Sequence, residues 1–176
     1  MSDELTRLVV RKPERIGLAD DGETPNNPTF PLVLYRAAVP LPAGDDPAAI
    51  FERLFARNGW KNGWRNGIYN FLHFHTGTHE VLGIARGHAS VQFGGRKGPV
   101  VDVAAGDVVI LPAGTGHQRK SASRNLLVVG AYPAGGRYDQ ARPGDIDHDQ
   151  AIASIARVTE PPLNPVYGDQ MPTFGQ

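Results

Sequence analysis

The pattern of apolar and polar residues along the chain predicts many short strands and few helices. The 21 glycines and 15 prolines break the sequence into short apolar runs, which is typical of a β-sandwich or barrel. From Gly67 onward these runs recur at short intervals, and each is long enough for one strand. The predicted strands are 68–75, 80–86, 89–93, 100–103, 107–111 and 126–132, with a hairpin turn at residues 94 and 95.

One segment before these strands has the pattern of an amphipathic helix. Asp45 or Asp46 can cap its first turn, Pro47 suits its start, and Gly59 ends it. Its apolar stripe consists of Ile50, Phe51, Leu54 and Phe55. We expect this helix to pack outside the barrel, and the pattern also allows a short helix over 149–157.

The remaining segments are predicted to be extended. Residues 6–16 and 30–39 should form arms at the sheet edge, and prolines keep the tail from 160 to 176 out of regular helix and central strand. A chain of 176 residues buries one sizeable core but is short for two domains. We therefore expect a single all-β domain, with arms and helix in 1–66, the barrel core in 67–133, and a loop, short helix and tail in 134–176.

Composition and charge narrow the function classes. Eighteen basic residues balance eighteen acidic ones, so there is no overall attraction for nucleic acid or for an anionic membrane. No apolar run approaches the roughly 20 residues that span a bilayer, and no apolar leader follows the first residues. These features favour a cytoplasmic protein that acts on a small molecule. The absence of cysteine leaves histidine and carboxylate as the ligands for any metal.

Three histidines and one glutamate have the spacing of a metal site. His73 and His75 are two residues apart, so on a strand both imidazoles project from one face. Glu80 follows after a Thr-Gly-Thr turn, and His117 follows a Pro-Ala-Gly-Thr-Gly loop. Together they would bind one divalent transition metal, which these ligands allow to be iron, manganese, nickel, zinc or copper.

The spacing around these residues closely resembles the two motifs of the cupin superfamily. Gly67, five residues, His73-x-His75, four residues, Glu80, six residues and Gly87 match the first motif. The second is matched by Gly106, five residues, Pro112-x-Gly114, two residues and His117. The flanking Asn-Gly-Trp-x-Asn-Gly-Trp-Arg-Asn-Gly, His-Glu-Val-Leu-Gly and Gly-Ala-Tyr-Pro segments are similar to the small bacterial YjlB-like cupins.

This resemblance implies a double-stranded β-helix, the cupin jelly-roll barrel, with the metal inside and frequent formation of homodimers. It implies no single reaction, because cupins support many chemistries. The hypothesis we favour is a metal-dependent enzyme of the oxygenase type. The alternatives are a metal-dependent isomerase or hydrolase, and a non-enzymatic cupin that binds a small metabolite.

His79 leaves the ligand set open, because it directly precedes Glu80. Spacing alone allows a shifted site made of His75, His79 and His117. We instead expect His79 to be a catalytic acid or base at the pocket rim, or a partner of the ligands. Strand alternation predicts a largely apolar pocket lining on the ligand face, made of Tyr69, Phe71, Leu82, Ile84 and Arg86.

Other aromatic residues have two interpretations. Trp60 and Trp64 suit core or interface packing better than a stacking platform for a ligand. Tyr132, Arg137 and Tyr138 border a Pro-Ala-Gly-Gly loop, which could cover the barrel or simply pack against it.

Overall fold

The computed structural model describes residues 8–175, so residues 6 and 7 of the first predicted arm and residue 176 of the tail lie outside the described residues. The described chain contains nine strands and two helices. The strands are β1 (Glu14–Ile16), β2 (Leu32–Tyr35), β3 (Trp60–Asn66), β4 (Glu80–Arg86), β5 (His88–Phe93), β6 (Val100–Ala104), β7 (Val108–Leu111), β8 (His117–Ala122) and β9 (Leu127–Pro133). The helices are α1 (Pro47–Arg57) and α2 (His148–Ile155).

The strands form two antiparallel sheets. The larger has the order β1-β2-β7-β4-β9-β3, and the smaller has the order β6-β5-β8. Neighbours in both sheets are often far apart in sequence, as in a double-stranded β-helix. The fold is therefore the all-β jelly-roll barrel that the sequence predicted.

Alternation along the strands of the larger sheet separates two cores. Leu82 of β4 and Val109 of β7 point between the sheets, where they pack with Phe93 of β5. Their neighbours, such as Val81 and Ile110, point to the other face. Since alternate residues of a strand face opposite sides, Glu80 lies on the same inward face as Leu82.

Helix α1 covers the outer face of the larger sheet. Asp46 caps it by accepting a hydrogen bond from the Ala48 N–H at 3.1 Å, and Pro47 occupies its first turn. Phe51 lies directly on Gly83 of β4, where any side chain would collide with the phenyl ring. The predicted helix and its stripe are therefore confirmed, with the helix on the outside of the barrel.

Some strand predictions need correction. Residues 68–75 form no regular strand and only isolated bridges, at His73 and Phe74. Strands β3 and β8 carry mostly polar sequences and were not predicted. Of the two arms, only β1 is an edge strand, since β2 lies between β1 and β7. No helix within residues 8–175 is long and apolar enough to cross a membrane.

Candidate metal centre

The two cupin-like motifs meet inside the barrel. His73 forms an antiparallel bridge with His117: the His73 N–H donates to the His117 carbonyl at 3.2 Å, and the His117 N–H donates to the His73 carbonyl at 3.0 Å. His75 follows two residues later, and Glu80 begins β4. All four residues are at most 5% exposed, so the sequence-predicted ligands lie together in the interior.

Each histidine ring is oriented by a backbone carbonyl. The Nδ1 atom lies 3.0 Å from the Phe71 oxygen in His73, 2.5 Å from the Asp139 oxygen in His75, and 3.0 Å from the Thr115 oxygen in His117. Since a carbonyl only accepts, each Nδ1 carries the proton and donates it. This leaves the three Nε2 atoms to face the centre of the cluster.

Glu80 closes one side of the histidine cluster. Its Oε2 lies 3.1 Å from His75 Nε2 and 3.3 Å from His117 Nε2. Burial opposes both charges, but their proximity outweighs it, raising the pKa of His75 and lowering the pKa of Glu80. The Asp139 carbonyl at Nδ1 and the Glu80 carboxylate at Nε2 therefore both favour the protonated form of His75.

His73 has a different electrostatic environment. Burial lowers its pKa to about 3, and the neighbouring His117 acts in the same direction. His73 is therefore neutral at physiological pH. A neutral imidazole is the form that binds a metal.

The cluster meets the chemical requirements of a divalent metal site. One ligand atom from each of His73, His75 and His117 can be chosen so that all three lie within 4.8 Å of one another. Glu80 adds an anionic oxygen beside two of them. Three imidazoles and one carboxylate suit a transition metal, and carbonyls that hold the remote ring nitrogens are the usual support for metal-binding histidines.

A cavity of about 190 Å³ opens beside the cluster. This is smaller than the pockets that usually hold drug-sized ligands, so it suits a small molecule. One wall is built around Trp64, whose ring lies against Gly130 of β9, where any side chain would collide with it. The Trp64 Nε1–H donates to the Tyr132 hydroxyl at 2.9 Å, which fixes two aromatic rings at the pocket.

Residues 137–142 form the other wall, and we call this segment the strap. Its odd-numbered residues anchor it. The Arg137 N–H donates to the Gly77 carbonyl at 3.0 Å, and Ala141 forms a bridge with Phe74. The even-numbered Tyr138 and Gln140 line the pocket.

Asp139 is the central anchor of the strap. Its carboxylate accepts hydrogen bonds from the Thr76 N–H, the Thr76 hydroxyl and the Gly77 N–H at 2.8, 2.6 and 2.9 Å. Its carbonyl is the one that orients His75. The strap therefore connects the pocket wall to the geometry of the histidine cluster.

The structure places His79 outside the cluster. Its Nδ1 accepts a hydrogen bond from the Ala113 N–H at 2.8 Å, and its Nε2 donates to the Thr159 carbonyl at 3.0 Å. Burial lowers its pKa to about 4. Both nitrogens are occupied by backbone groups, and the ring packs on Phe30 and Phe174. The catalytic role expected for His79 stays a prediction, as does the alternative ligand set that includes it.

Two of the five predicted lining residues, Tyr69 and Leu82, lie on the pocket wall. Ile84 shares the inward face but is fully buried deeper in the barrel core. A register shift between Ile84 and Arg86 disrupts the strand pairing, and Arg86 is exposed. Phe71 instead stacks on Tyr69 with ring centroids 4.7 Å apart.

Sequence reasoning did not assign a site role to Asp139 or Gln140, which no motif marks. For Trp64 and Tyr132 the signal was present but ambiguous, because an aromatic residue serves core packing and ligand contact equally well. Trp60 is core, as expected, and its Nε1–H donates to the Leu163 carbonyl. Of the loop residues weighed as a cover, Tyr132 and Tyr138 line the pocket, whereas the Arg137 side chain is not on its wall.

Comparison with known proteins gives one extensive match. No family model matches the chain. The chain is 37% identical over 153 residues to the protein of Bacillus subtilis strain 168 called Uncharacterized protein YjlB, and the alignment spans 87% of this chain and 89% of that protein.

The matches to solved structures are partial. The acireductone dioxygenase from Bacillus anthracis with cadmium ion in active center matches 50% of this chain and 62% of its own, with 20% identity and a TM-score of 0.36. A Bacillus subtilis oxalate decarboxylase mutant matches 64% of this chain and 23% of its own, with 19% identity and a TM-score of 0.35. In both cases less than two thirds of the solved chain is covered.

Proposed function

This chain belongs to the YjlB-like family of the cupin superfamily, and on that premise we propose that it is a metal-dependent enzyme of the oxygenase type that acts on a small molecule. The proposed metal ligands are His73, His75, Glu80 and His117. One divalent transition metal would bind there, with the pocket beside it for the substrate.

The observation that carries the metal assignment is the common orientation of the three imidazoles. Each Nδ1–H donates to a backbone carbonyl, so each Nε2 is directed at the same place. Orienting three buried rings in this way has no evident purpose for packing, since an apolar side chain would fill the same space without polar atoms to satisfy. It is what a metal centre requires.

When bound, a redox-active metal such as iron would supply open positions for an oxygen-containing substrate and for dioxygen. The chain itself supplies confinement and orientation. Leu82 and the aromatic rings limit water. The Tyr132 hydroxyl accepts a hydrogen bond from the Trp64 Nε1–H and donates to the Glu80 carboxylate. Tyr132 would therefore hold a substrate oxygen only in exchange for its bond to Glu80.

A second candidate function, a metal-dependent isomerase or hydrolase, is favoured by the same Tyr132 hydroxyl. Such a reaction needs a proton donor or acceptor at the pocket. His79 is engaged by backbone groups, so Tyr132 is the pocket residue we propose for that role. Burial and the nearby Glu80 carboxylate raise the pKa of Tyr132 well above its usual range, so its hydroxyl stays protonated and would act on the substrate as a hydrogen-bond donor.

The test is metal analysis followed by oxygen uptake. Protein purified without added metal is analysed for its ions, and the iron form is then screened for oxygen consumption with small oxygen-containing substrates. Uptake supports the oxygenase. Retained zinc or nickel with turnover but no uptake supports the isomerase or hydrolase, and retained metal without any turnover supports a metabolite-binding cupin.

Two variants test the ligand set directly. His75→Ala and His117→Ala should each lose the metal while the barrel stays folded, because the two apolar cores do not depend on an ion. His88→Ala is the matched control, since His88 is exposed at the start of β5. Full metal occupancy in both cluster variants would refute the site.

A further inference from the structure

We infer that the pocket selects a small ligand whose far end is a compact positively charged group, such as a quaternary ammonium, and whose near end carries an oxygen donor. The near end would lie at the histidine cluster. The charged head group would lie at the pocket mouth, which is lined by the aromatic rings of Trp64, Tyr69, Tyr132 and Tyr138. The inference rests on the proposed function in taking this pocket as the ligand site.

The first observation is the concentration of aromatic rings around the mouth. Trp64, Tyr69, Tyr132 and Tyr138 all line this one pocket. Tyr69 and Tyr138 are 48% and 57% exposed, and they are the two exposed aromatic side chains among residues 8–175. Two exposed rings that border the same pocket are a pattern typical of ligand-binding sites.

The rings are also held in place. Tyr132 and Tyr138 meet edge to face, with centroids 5.2 Å apart, and Tyr132 is bonded to Trp64. On the opposite side Tyr69 stacks on Phe71, over which the Arg142 guanidinium lies at 3.8 Å from the ring centroid. A cation thus already packs on one ring of this stack, and fixed aromatic faces attract cations through the ring quadrupole.

The second observation is the charge of the lining. Of the described residues on the pocket wall, Arg65 is the one with a permanently cationic side chain. Its guanidinium is paired with two carboxylates, donating from Nε and Nη2 to Glu52 at 2.7 and 2.8 Å and from Nη1 to Asp46 at 3.0 Å. A negatively charged head group would therefore have to compete with two carboxylates for this guanidinium.

Three alcohols of nearly equal size test the inference: choline, 3,3-dimethylbutan-1-ol and 2-hydroxyethanesulfonate. They share the hydroxyethyl end and differ in the charge of a compact head group. Calorimetric titration into metal-free and metal-loaded protein should show choline binding about tenfold tighter than the neutral alcohol. The sulfonate should bind at least about tenfold more weakly than the neutral alcohol. Because the neutral alcohol is the more hydrophobic, a preference for choline reports the aromatic faces.

Variants at the pocket mouth test whether the aromatic rings produce the preference for choline. Tyr138→Leu and Tyr69→Leu should each reduce the preference for choline, whereas Tyr138→Phe, which keeps the ring, should preserve it. The inference is overturned if none of the alcohols binds, if the neutral alcohol or the sulfonate binds as tightly as choline, or if the preference survives both leucine variants.

Titration with the metal alone tests the proposed function independently of the ligand preference. If the choline preference holds and no metal binds, the proposed function fails and the inference stands. If metal binds and the preference is absent, the inference fails and the metal assignment stands.

Discussion

Replacing His79 by alanine should weaken the fold while leaving the metal bound. His79 connects three parts of the chain: it begins the approach to β4, accepts from Ala113 in the second motif, and donates to Thr159 in the C-terminal segment. The substitution removes both hydrogen bonds and the ring that packs on Phe174. His79 is next to Glu80 in sequence but lies outside the histidine cluster. Substitution of Glu80 should therefore lower the metal content, whereas substitution of His79 should not.

The expected loss of stability follows from these contacts. A buried Ala113 N–H without an acceptor costs about 1–3 kcal/mol, and the cavity left by a buried side chain adds about 2 kcal/mol or more. We expect a total of about 3–5 kcal/mol, which is large beside the usual 5–15 kcal/mol for a whole domain. The melting temperature should fall by about 6–20 °C.

Measuring the free energy of unfolding over a series of pH values isolates the contribution of His79 to stability. Its pKa is about 4 in the folded chain against the ordinary 6.5, so between these values the unfolded chain binds a proton that the folded chain excludes. Stability therefore falls as pH drops from 6.5 to 4, by up to about 3 kcal/mol from this residue. In His79→Ala that part of the pH dependence should vanish.

The assay is denaturant unfolding of wild type, His79→Ala and His88→Ala from pH 4.5 to 7.5, with metal content measured on each. His88→Ala should match wild type, since His88 is exposed. A His79→Ala protein that unfolds like wild type but loses its metal would refute the reasoning and would favour the shifted ligand set.

Three further outcomes are expected. Glu80→Gln should weaken metal binding by more than about 100-fold, as measured by competition with a chelator, because a neutral oxygen replaces an anionic donor. Metal binding should release protons and weaken as pH falls, because Glu80 raises the pKa of His75 and the metal must displace the proton that this favours. Calorimetry in two buffers of different ionisation enthalpy measures the release. Asp139→Ala should lower metal affinity by about tenfold, a smaller loss than His75→Ala, because it frees the carbonyl that orients His75.

The fold could be predicted where the spacing of apolar residues in the sequence matches the pattern of buried residues in the structure. Strand β4 could be located because Glu80, Leu82 and Ile84 alternate toward the interior, and α1 because Asp46 and Pro47 mark its start. Strands β3 and β8 could not, since their sequences, Trp-Lys-Asn-Gly-Trp-Arg-Asn and His-Gln-Arg-Lys-Ser-Ala, are mostly polar. Their pairing is imposed by long-range contacts, which local pattern does not encode.

The candidate site was predictable to the extent that motif spacing encodes it. His73, His75, Glu80 and His117 come together as expected, and their role as ligands stays a prediction, as does the homodimer. The strap could not be predicted, because Asp139 acts on residues more than 60 positions earlier in the chain. The role of His79 was also hidden, since its neighbours Ala113 and Thr159 are distant in sequence.

The alternation along the strap makes ligand preference adjustable independently of the scaffold. Arg137, Asp139 and Ala141 attach the segment through backbone groups and one carboxylate, whereas Tyr138 and Gln140 contribute only side chains to the pocket wall. A library randomised at positions 138 and 140 should therefore yield folded, metal-competent barrels in high proportion. The same randomisation at 139 should yield few, which makes this short stretch a natural starting point for redirecting the protein to new ligands.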